Sequence, residues 1–289
     1  MKAKIYYQPG TGKKISEDFY FIDFNGHRLK VAVGDWASNL VGGPYTHEET
    51  AVLRGEPADT KYNGGVIGST LVKDVIERTD ETGYKLIQLA NERIRGAYEQ
   101  LGIKGYRENR ALTFTGYIAH AIVAPEKTVV TGVGDVRLAA DSRILTGITK
   151  AIDTHHTELR KWCIENGSED WFKKMLNAFI ISQYETQNVL GHKFSYPAID
   201  GTETLPQEGI TFIEIPTPKN LLLWSDGFEE PDNQDGFTIE GLESKLKKVY
   251  NEDPQRCKNY PGLKGDRLDD RTAVHVEIDD WDSIRMDQI

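Results

Sequence analysis

The sequence predicts a layered α+β protein, and two observations carry that prediction. Along the chain the predicted elements come in groups, in the order strands, helices, strands, helices, strands. This grouping differs from the regular strand–helix alternation of a parallel βαβ protein. The 289 residues contain no internal repeat and no low-complexity segment, so we expect a single domain over residues 1–289.

Short apolar runs predict the first group of strands. Strands are predicted at 5–8, 19–23 and 29–34. Asn25-Gly26 lies between the last two, and this dipeptide between apolar runs is typical of a hairpin turn. Residues 42–65 are rich in Gly, Pro and Glu and predict a loop.

Helices and further strands follow this loop. Two helices are predicted to begin near Val66 and Tyr84, and the second is predicted to end at Gly102 as its C-cap. Its apolar residues recur at helical spacing: Leu86, Leu89, Ala90, Ile94, Ala97, Tyr98 and Leu101. Later strands are predicted at 111–124, 128–132, 136–140, 210–215, 220–224 and 272–278, and helices over 155–187, with a break at Asn166-Gly167, and over 240–250.

Composition narrows the classes of function. The net charge is −10 and the pI about 5.3, which argues against nucleic acid as a partner because phosphate contacts need a concentrated basic face. The two cysteines, Cys163 and Cys257, lack the spacing of a zinc site or a disulfide framework. No apolar stretch predicts a membrane span. We therefore expect a cytoplasmic monomer that binds neither nucleic acid nor membrane.

Acidic residues recur at the ends of the predicted strands. They are Glu17-Asp18 before the second strand, Asp35 after the third, Asp135 between two central strands, Asp226 after 220–224, and Asp269-Asp270 before the last. Neighbouring strands of a sheet begin and end at similar levels, so these carboxylates are expected to meet at one edge. Two such charges about 4 Å apart repel by roughly 1 kcal/mol in water and about 4 kcal/mol at an effective dielectric of 20. The arrangement therefore calls for a cation, and oxygen ligands without His or Cys suit Mg²⁺ or Mn²⁺.

The order of these motifs resembles the type 2C (PPM) metal-dependent serine/threonine protein phosphatases. The matching stretches are Ser16-Glu17-Asp18-Phe19, Val31-Ala32-Val33-Gly34-Asp35-Trp36, Gly134-Asp135-Val136-Arg137, Leu221-Leu222-Leu223-Trp224-Ser225-Asp226-Gly227-Phe228 and Leu268-Asp269-Asp270-Arg271-Thr272-Ala273-Val274. The last two together are the specific part of the resemblance, which spans nearly the whole chain. It implies a four-layer α/β/β/α sandwich with two mainly antiparallel sheets.

The resemblance also implies a role for each acid. Asp35 would bridge two cations, with the backbone carbonyl of Trp36 as a further ligand, and Asp226 and Asp269 would complete the set. Glu17 and Asp18 would hold metal-bound waters. Asp135 would be a ligand of a third ion, and Lys13 stands where the family has its phosphate-binding Arg. The cofactors implied are two Mn²⁺ or Mg²⁺ ions, or three.

The implied reaction is hydrolysis of phosphoserine or phosphothreonine in a phosphorylated protein substrate by a metal-bound hydroxide at a dinuclear centre. Two departures from the family pattern bear on it. Trp36-Ala37-Ser38 replaces glycines, so the loop beside the metals cannot take the usual glycine conformations. Lys13 offers a point charge in place of a bidentate fork. Two alternatives stay open: a catalytically inactive phosphatase-like binding or regulatory module, and a hydrolase of a small phosphorylated metabolite.

Overall fold

The computed structural model describes residues 1–10, 15–37, 64–107, 113–148, 150–168, 171, 182–203, 205–232, 236–252, 270–278 and 285–288. The strands are β1 (Lys2–Gln8), β2 (Phe19–Asn25), β3 (Arg28–Ala37), β4 (Thr115–Val123), β5 (Thr128–Val133), β6 (Arg137–Ala140), β7 (Arg143–Thr146), β8 (Thr211–Ile215), β9 (Asn220–Trp224), β10 (Arg271–Glu277) and β11 (Arg285–Gln288). The helices are α1 (Gly64–Arg78), α2 (Gly83–Gln100), α3 (Ala151–Glu165) and α4 (Ile239–Glu252).

These strands form two sheets. One has the order β11-β1-β10-β9-β6-β7 and the other the order β2-β3-β4-β5-β8. The pairs are antiparallel except for β1 with β11, which run parallel. The predicted pair of mainly antiparallel sheets is therefore confirmed.

The sheets stack face to face, with helices on both outer faces. Val31 and Val33 of β3 point between the sheets and pack in one apolar core with Leu221 and Leu223 of β9. Alternate residues point outward because side chains in a strand alternate between its two faces. Ala32 thus packs against α1 and α2 on the outer face of its sheet. On the outer face of the other sheet, Leu242 of α4 packs in one cluster with Trp224 of β9. The predicted four-layer α/β/β/α sandwich is confirmed.

Two local predictions from sequence are also confirmed. β2 and β3 form a hairpin in which Asn25 pairs with Arg28 and Gly26 takes a positive φ of 60°. Helix α2 ends as predicted, because Gly102 has a φ of 66° and its N–H donates to the carbonyl of Glu99 at 3.2 Å.

Some elements differ from the prediction. Strands β7 and β11 were not predicted, since each has four residues and neither shows a clear apolar alternation. Helix α3 begins at Ala151, ahead of the predicted residue 155, and the strand predicted from 111 begins at Thr115. Of the predicted loop 42–65, residues 42–63 lie outside the described residues, and α1 already begins at Gly64.

A buried lysine joins β3 to the end of α1. The Lys30 ammonium donates to the carbonyls of Ile76 at 2.9 Å and Thr79 at 2.7 Å, and it pairs with Asp80 at 3.2 Å. The last carbonyls of a helix have no partner within the helix, so this cation satisfies them and complements the helix dipole. None of the helices in the described part of the chain is long and apolar enough to cross a membrane.

Candidate active site

Strand β3 carries the first predicted ligand, Asp35, to one end of the sandwich. Asp35 is half-buried and pairs across the ladder with Tyr117 of β4. On the other side of β3, Phe19 pairs with Gly34, so Asp18 stands next to Asp35 at the start of β2. The hairpin that sequence predicted is what brings these two carboxylates to the same end.

Strand β9 brings Asp226 to the same end of the other sheet. Ser225 extends the pairing with β10, since its N–H donates to the carbonyl of Thr272 at 2.9 Å and its hydroxyl accepts from the N–H of Thr272 at 3.0 Å. The chain then turns, with the N–H of Phe228 donating to the carbonyl of Ser225 at 3.2 Å. Asp226 lies exposed in this turn. Its side chain is therefore open to solvent.

Asp270 links the two sheets at this end. Its carboxylate accepts the N–H of Gly10 at 2.5 Å and the N–H of Glu17 at 2.8 Å, and Asp270 itself is buried. Gly227, directly after Asp226, packs against the backbone of Asp270 with no room for a Cβ. Asp270 follows the predicted ligand Asp269 in the sequence, and no local pattern predicts a role of its own. Its two hydrogen bonds fix the segment that carries Glu17.

Glu17, Asp18, Asp35, Asp226 and Asp270 therefore gather at one end of the sandwich, which we call the acid rim. Glu17 and Asp18 are both buried. Gly65, in the first turn of α1, packs against the Glu17 carboxylate so closely that a Cβ would not fit. The absence of a side chain at Gly65 thus lets the helix approach the rim.

Trp36 follows Asp35 and is held by two other glycines. Its ring lies between Gly68 of α1 and Gly116 of β4, at positions where a Cβ on either glycine would overlap it, and it is buried. The fold thus accommodates an indole ring at residue 36. Ala37 ends β3, and Ser38 lies outside the described residues.

Tyr7 borders the acid rim from β1. Burial raises the pKa of its phenol above the usual value, the hydrogen bond with Ser16 lowers it, and the charges of Asp18 and Asp270 raise it. The phenol therefore stays protonated at neutral pH. It packs edge to face on Tyr20 with ring centroids 5.6 Å apart. No feature of the sequence singled out Tyr7, because its position depends on the pairing of β1 with β10.

Asp135 is placed at the same end by the turn before β6, but it is engaged in an ion pair. The Lys150 ammonium lies 2.7 Å from its Oδ2, and both side chains are largely buried. Lys150 was not among the predicted site residues. The one sequence feature that could have indicated it is its position: Lys150 directly precedes Ala151, the first residue of α3, at the N-cap, where Ser, Thr, Asp or Asn is preferred.

Two predicted site residues, Lys13 and Asp269, lie outside the described residues. In the ranges that the structure describes, no three His, Cys, Asp or Glu side chains are grouped so as to hold one metal ion. The donor set that the acid rim presents consists of carboxylate oxygens. Such a set suits a hard cation such as Mg²⁺ or Mn²⁺ better than zinc, which prefers His and Cys ligands.

Solved structures of bacterial phosphatases share this fold. A bacterial serine phosphatase aligns with a TM-score of 0.50 at 15% identity over 99% of each chain. The serine/threonine phosphatase Stp1 from Staphylococcus aureus aligns with a TM-score of 0.50 at 15% identity, over 96% of this chain and 95% of that one. A serine/threonine phosphatase of S. agalactiae gives 0.50 at 13% identity, over 96% and 99%.

No protein-family model matches the chain, and no curated protein matches it by sequence. At such identities the alignments establish a shared fold. The resemblance to the type 2C phosphatases that the motifs show is thus confirmed at the level of architecture: the chain has the fold of the bacterial serine/threonine phosphatases.

Proposed function

We propose that the chain is a metal-dependent phosphatase that acts on phosphoserine or phosphothreonine in proteins. The observation that carries the proposal is the acid rim, where strand ends from both sheets bring carboxylates together. Carboxylates that share one end of the sandwich repel one another at short range, and a bound cation would remove that repulsion. The shared fold with bacterial serine/threonine phosphatases supports the same reading.

Each rim residue has a proposed part. Asp35 would bridge two Mn²⁺ or Mg²⁺ ions, with Asp226, Asp269 and the Trp36 carbonyl as further ligands. When bound, two such metal ions would supply a hydroxide nucleophile at neutral pH and neutralise the charge on phosphate oxygens. Glu17 and Asp18 would accept hydrogen bonds from waters around the ions, and Lys13 would bind the phosphate.

The rest of the rim positions these groups. Asp270 holds the backbone of Glu17 and Gly10, so the acids before β2 keep a fixed place relative to β10. Gly65 lets α1 cover the Glu17 carboxylate and shield it from solvent. A carboxylate whose position is fixed in advance costs less to order when substrate binds. Tyr7 keeps its proton and can donate a hydrogen bond at the edge of the rim.

The proposal is tested by hydrolysis of an aryl phosphate with and without Mn²⁺. Asp226→Asn is the informative variant, because Asp226 lies exposed in a turn and its replacement should not disturb folding. Asp141→Asn, in a turn at the opposite end of β6, is the matched control. We expect metal-dependent turnover in the wild type and the control, and none in Asp226→Asn. Turnover that survives Asp226→Asn, or that needs no metal, would contradict the proposal.

Substrate class needs a second comparison. Phosphopeptides should be hydrolysed with higher kcat/KM than small phosphorylated metabolites if proteins are the substrate. The reverse preference would support a metabolite hydrolase. A protein that binds Mn²⁺ but turns over neither class would instead support the catalytically inactive binding module.

A further inference from the structure

Lys150 and Asp135 form a shielded ion pair at the edge of the acid rim. Their charged atoms are 2.7 Å apart, and the side chains are 12% and 15% exposed. The ammonium also lies over two aromatic rings, 4.3 Å from the centroid of Tyr117 and 5.3 Å from that of Tyr196. Carboxylate on one side and two ring faces on the other are the surroundings of a bound cation.

The position of Asp135 relates this pair to the rim. Arg137 pairs with Trp224 in the β6–β9 ladder. Asp135 lies two residues before Arg137 and Asp226 two residues after Trp224, so both acids lie at the same end of this ladder. An ammonium held at Asp135 therefore adds a fixed positive charge to a region of carboxylates.

Lys150 occupies a backbone position, the N-cap of α3, that lysine does not favour. Its carbonyl accepts the N–H of Thr154 at 3.2 Å, which makes it the N-cap residue of α3. A helix N-terminus carries a partial positive charge and disfavours a lysine. The long-range contact with Asp135 and the two tyrosines compensates for this, as residues that break a local rule often serve a site.

Asp135 retains capacity for a further ligand. Its second oxygen, Oδ1, is buried and has no hydrogen-bond partner among the described residues. A buried carboxylate with one oxygen on an ammonium and one unused can coordinate a metal ion if the ammonium is removed. While the ammonium is present, a divalent ion at the same carboxylate would meet a like charge at short range.

We propose that the Lys150 ammonium is a built-in cation at Asp135, which takes the place of an exchangeable divalent ion and keeps that carboxylate from binding metal. This rests on the proposed function, since it concerns a position that borders the same metal site. It also gives Lys150 a positioning role, because the ammonium joins Asp135 to Tyr196, whose hydroxyl donates to the carbonyl of Gln183 at 3.0 Å.

The test counts the Mn²⁺ ions bound per chain, by calorimetry and by the electron paramagnetic resonance signal of free Mn²⁺, in the absence of substrate. Lys150→Met removes the charge and keeps most of the side-chain volume. We expect Lys150→Met to bind one more ion than the wild type, and Lys150→Met/Asp135→Asn to lose that ion again. Lys150→Arg, which keeps the charge, should retain the wild-type count.

The matched control is Lys127→Met, which breaks an exposed ion pair with Glu214 at 3.0 Å and should leave the count unchanged. Asp135→Asn alone gives an answer even if Lys150→Met does not fold. In the wild-type background, Asp135→Asn should leave the number of bound ions unchanged and their Kd within twofold of the wild-type value. Loss of an ion in Asp135→Asn, or no gain in a folded Lys150→Met, would overturn the proposal.

These outcomes are separate from the test of phosphatase activity. A chain that hydrolyses no phosphoester can still gain an ion in Lys150→Met, because ion counting needs no turnover. Conversely, an active phosphatase whose ion count falls in Asp135→Asn would keep its proposed function and refute the role of Lys150.

Discussion

The indole ring of Trp36 occupies the space that a side chain on Gly116 would fill. Trp36 belongs to β3 and Gly116 to the neighbouring strand β4, where the two residues pair directly in the ladder. Since Trp36 adjoins Asp35, this contact sets the end of the strand that delivers the first predicted metal ligand.

Gly116→Ala should therefore destabilise the protein. A methyl group forced into a packed core costs typically about 1–3 kcal/mol. The change is measured as a lower urea midpoint with an unchanged slope. Gly96→Ala is the matched control, because Gly96 lies in α2 with open space around its Cα and should gain up to about 1 kcal/mol from helix propensity. Equal effects of the two substitutions would refute the contact as the cause.

Asp270→Asn should loosen the acid rim. The carboxylate uses different oxygens for the N–H groups of Gly10 and Glu17, and an amide offers an oxygen to only one of them. A buried donor left without a partner costs about 1–3 kcal/mol. We expect that loss in urea unfolding, together with faster amide hydrogen exchange at Glu17.

Asp141→Asn is its control, because the N–H groups of Lys219 and Asn220 both donate to Oδ1 of Asp141, which an asparagine retains. That variant should lose less than half as much stability. If the exchange rate at Glu17 is the same in Asp270→Asn as in the wild type, the positioning role of Asp270 is wrong.

His120 makes stability depend on pH. The pKa of His120 is lowered from 6.5 to about 3: burial is the largest cause, the Lys30 charge also lowers it, and the Asp80 charge opposes the shift. The unfolded chain then binds a proton below pH 6.5 that the folded chain does not bind until about pH 3. The free energy of unfolding therefore falls as pH decreases through this window, by up to about 1.4 kcal/mol per pH unit.

His120→Leu removes this term, and urea unfolding at pH 7, 6 and 5 checks it. The variant should lose less stability than the wild type between pH 7 and 5. Parallel pH profiles would show that His120 does not titrate as proposed.

Lys30→Met tests whether the Lys30 ammonium stabilises the C-terminal end of α1. The substitution keeps the buried stem and removes the donor to the carbonyls of Ile76 and Thr79. Groups left without a partner at the helix end should lower the free energy of unfolding by about 1–3 kcal/mol. Lys127→Met, at an exposed ion pair, should change it by less than about 1 kcal/mol.

Metal should stabilise the chain if the acid rim binds it. Mn²⁺ at one hundred times its Kd adds about 2.7 kcal/mol, which corresponds to roughly 5–11 °C in Tm. Asp35→Asn should abolish most of this shift, and its Tm without metal should not fall because one repelling charge is gone. Asp23→Asn, at the far end of β2, should keep the full shift. A wild-type Tm that does not respond to Mn²⁺ or EDTA would contradict the site.

Much of this architecture could be predicted because it depends on neighbours in sequence. The hairpin at Asn25-Gly26 and the end of α2 at Gly102 follow from backbone conformations that glycine favours. Asp35 and Asp226 were identified because each lies two residues after an apolar run, so that the strand and the acid at its end are recognised together. The sequence predicted that these acids meet at the edge of one sheet, whereas β3 and β9 lie in different sheets, so their placement at one end depends on how the sheets stack.

Other features were decided by tertiary structure alone. The slot for Trp36 is built by Gly68 and Gly116, which are 32 and 80 positions further along the chain, and the capping of Glu17 by Asp270 spans 253 positions. The Lys150–Asp135 pair needs the turn before β6 and the start of α3 to meet. The sequence by itself determined the strands and the acids at their ends, because those depend on local conformation and on the alternation of apolar residues. Only the folded chain decided which glycine makes room for which ring and which cation meets which carboxylate, because such contacts join residues that are neighbours in space alone.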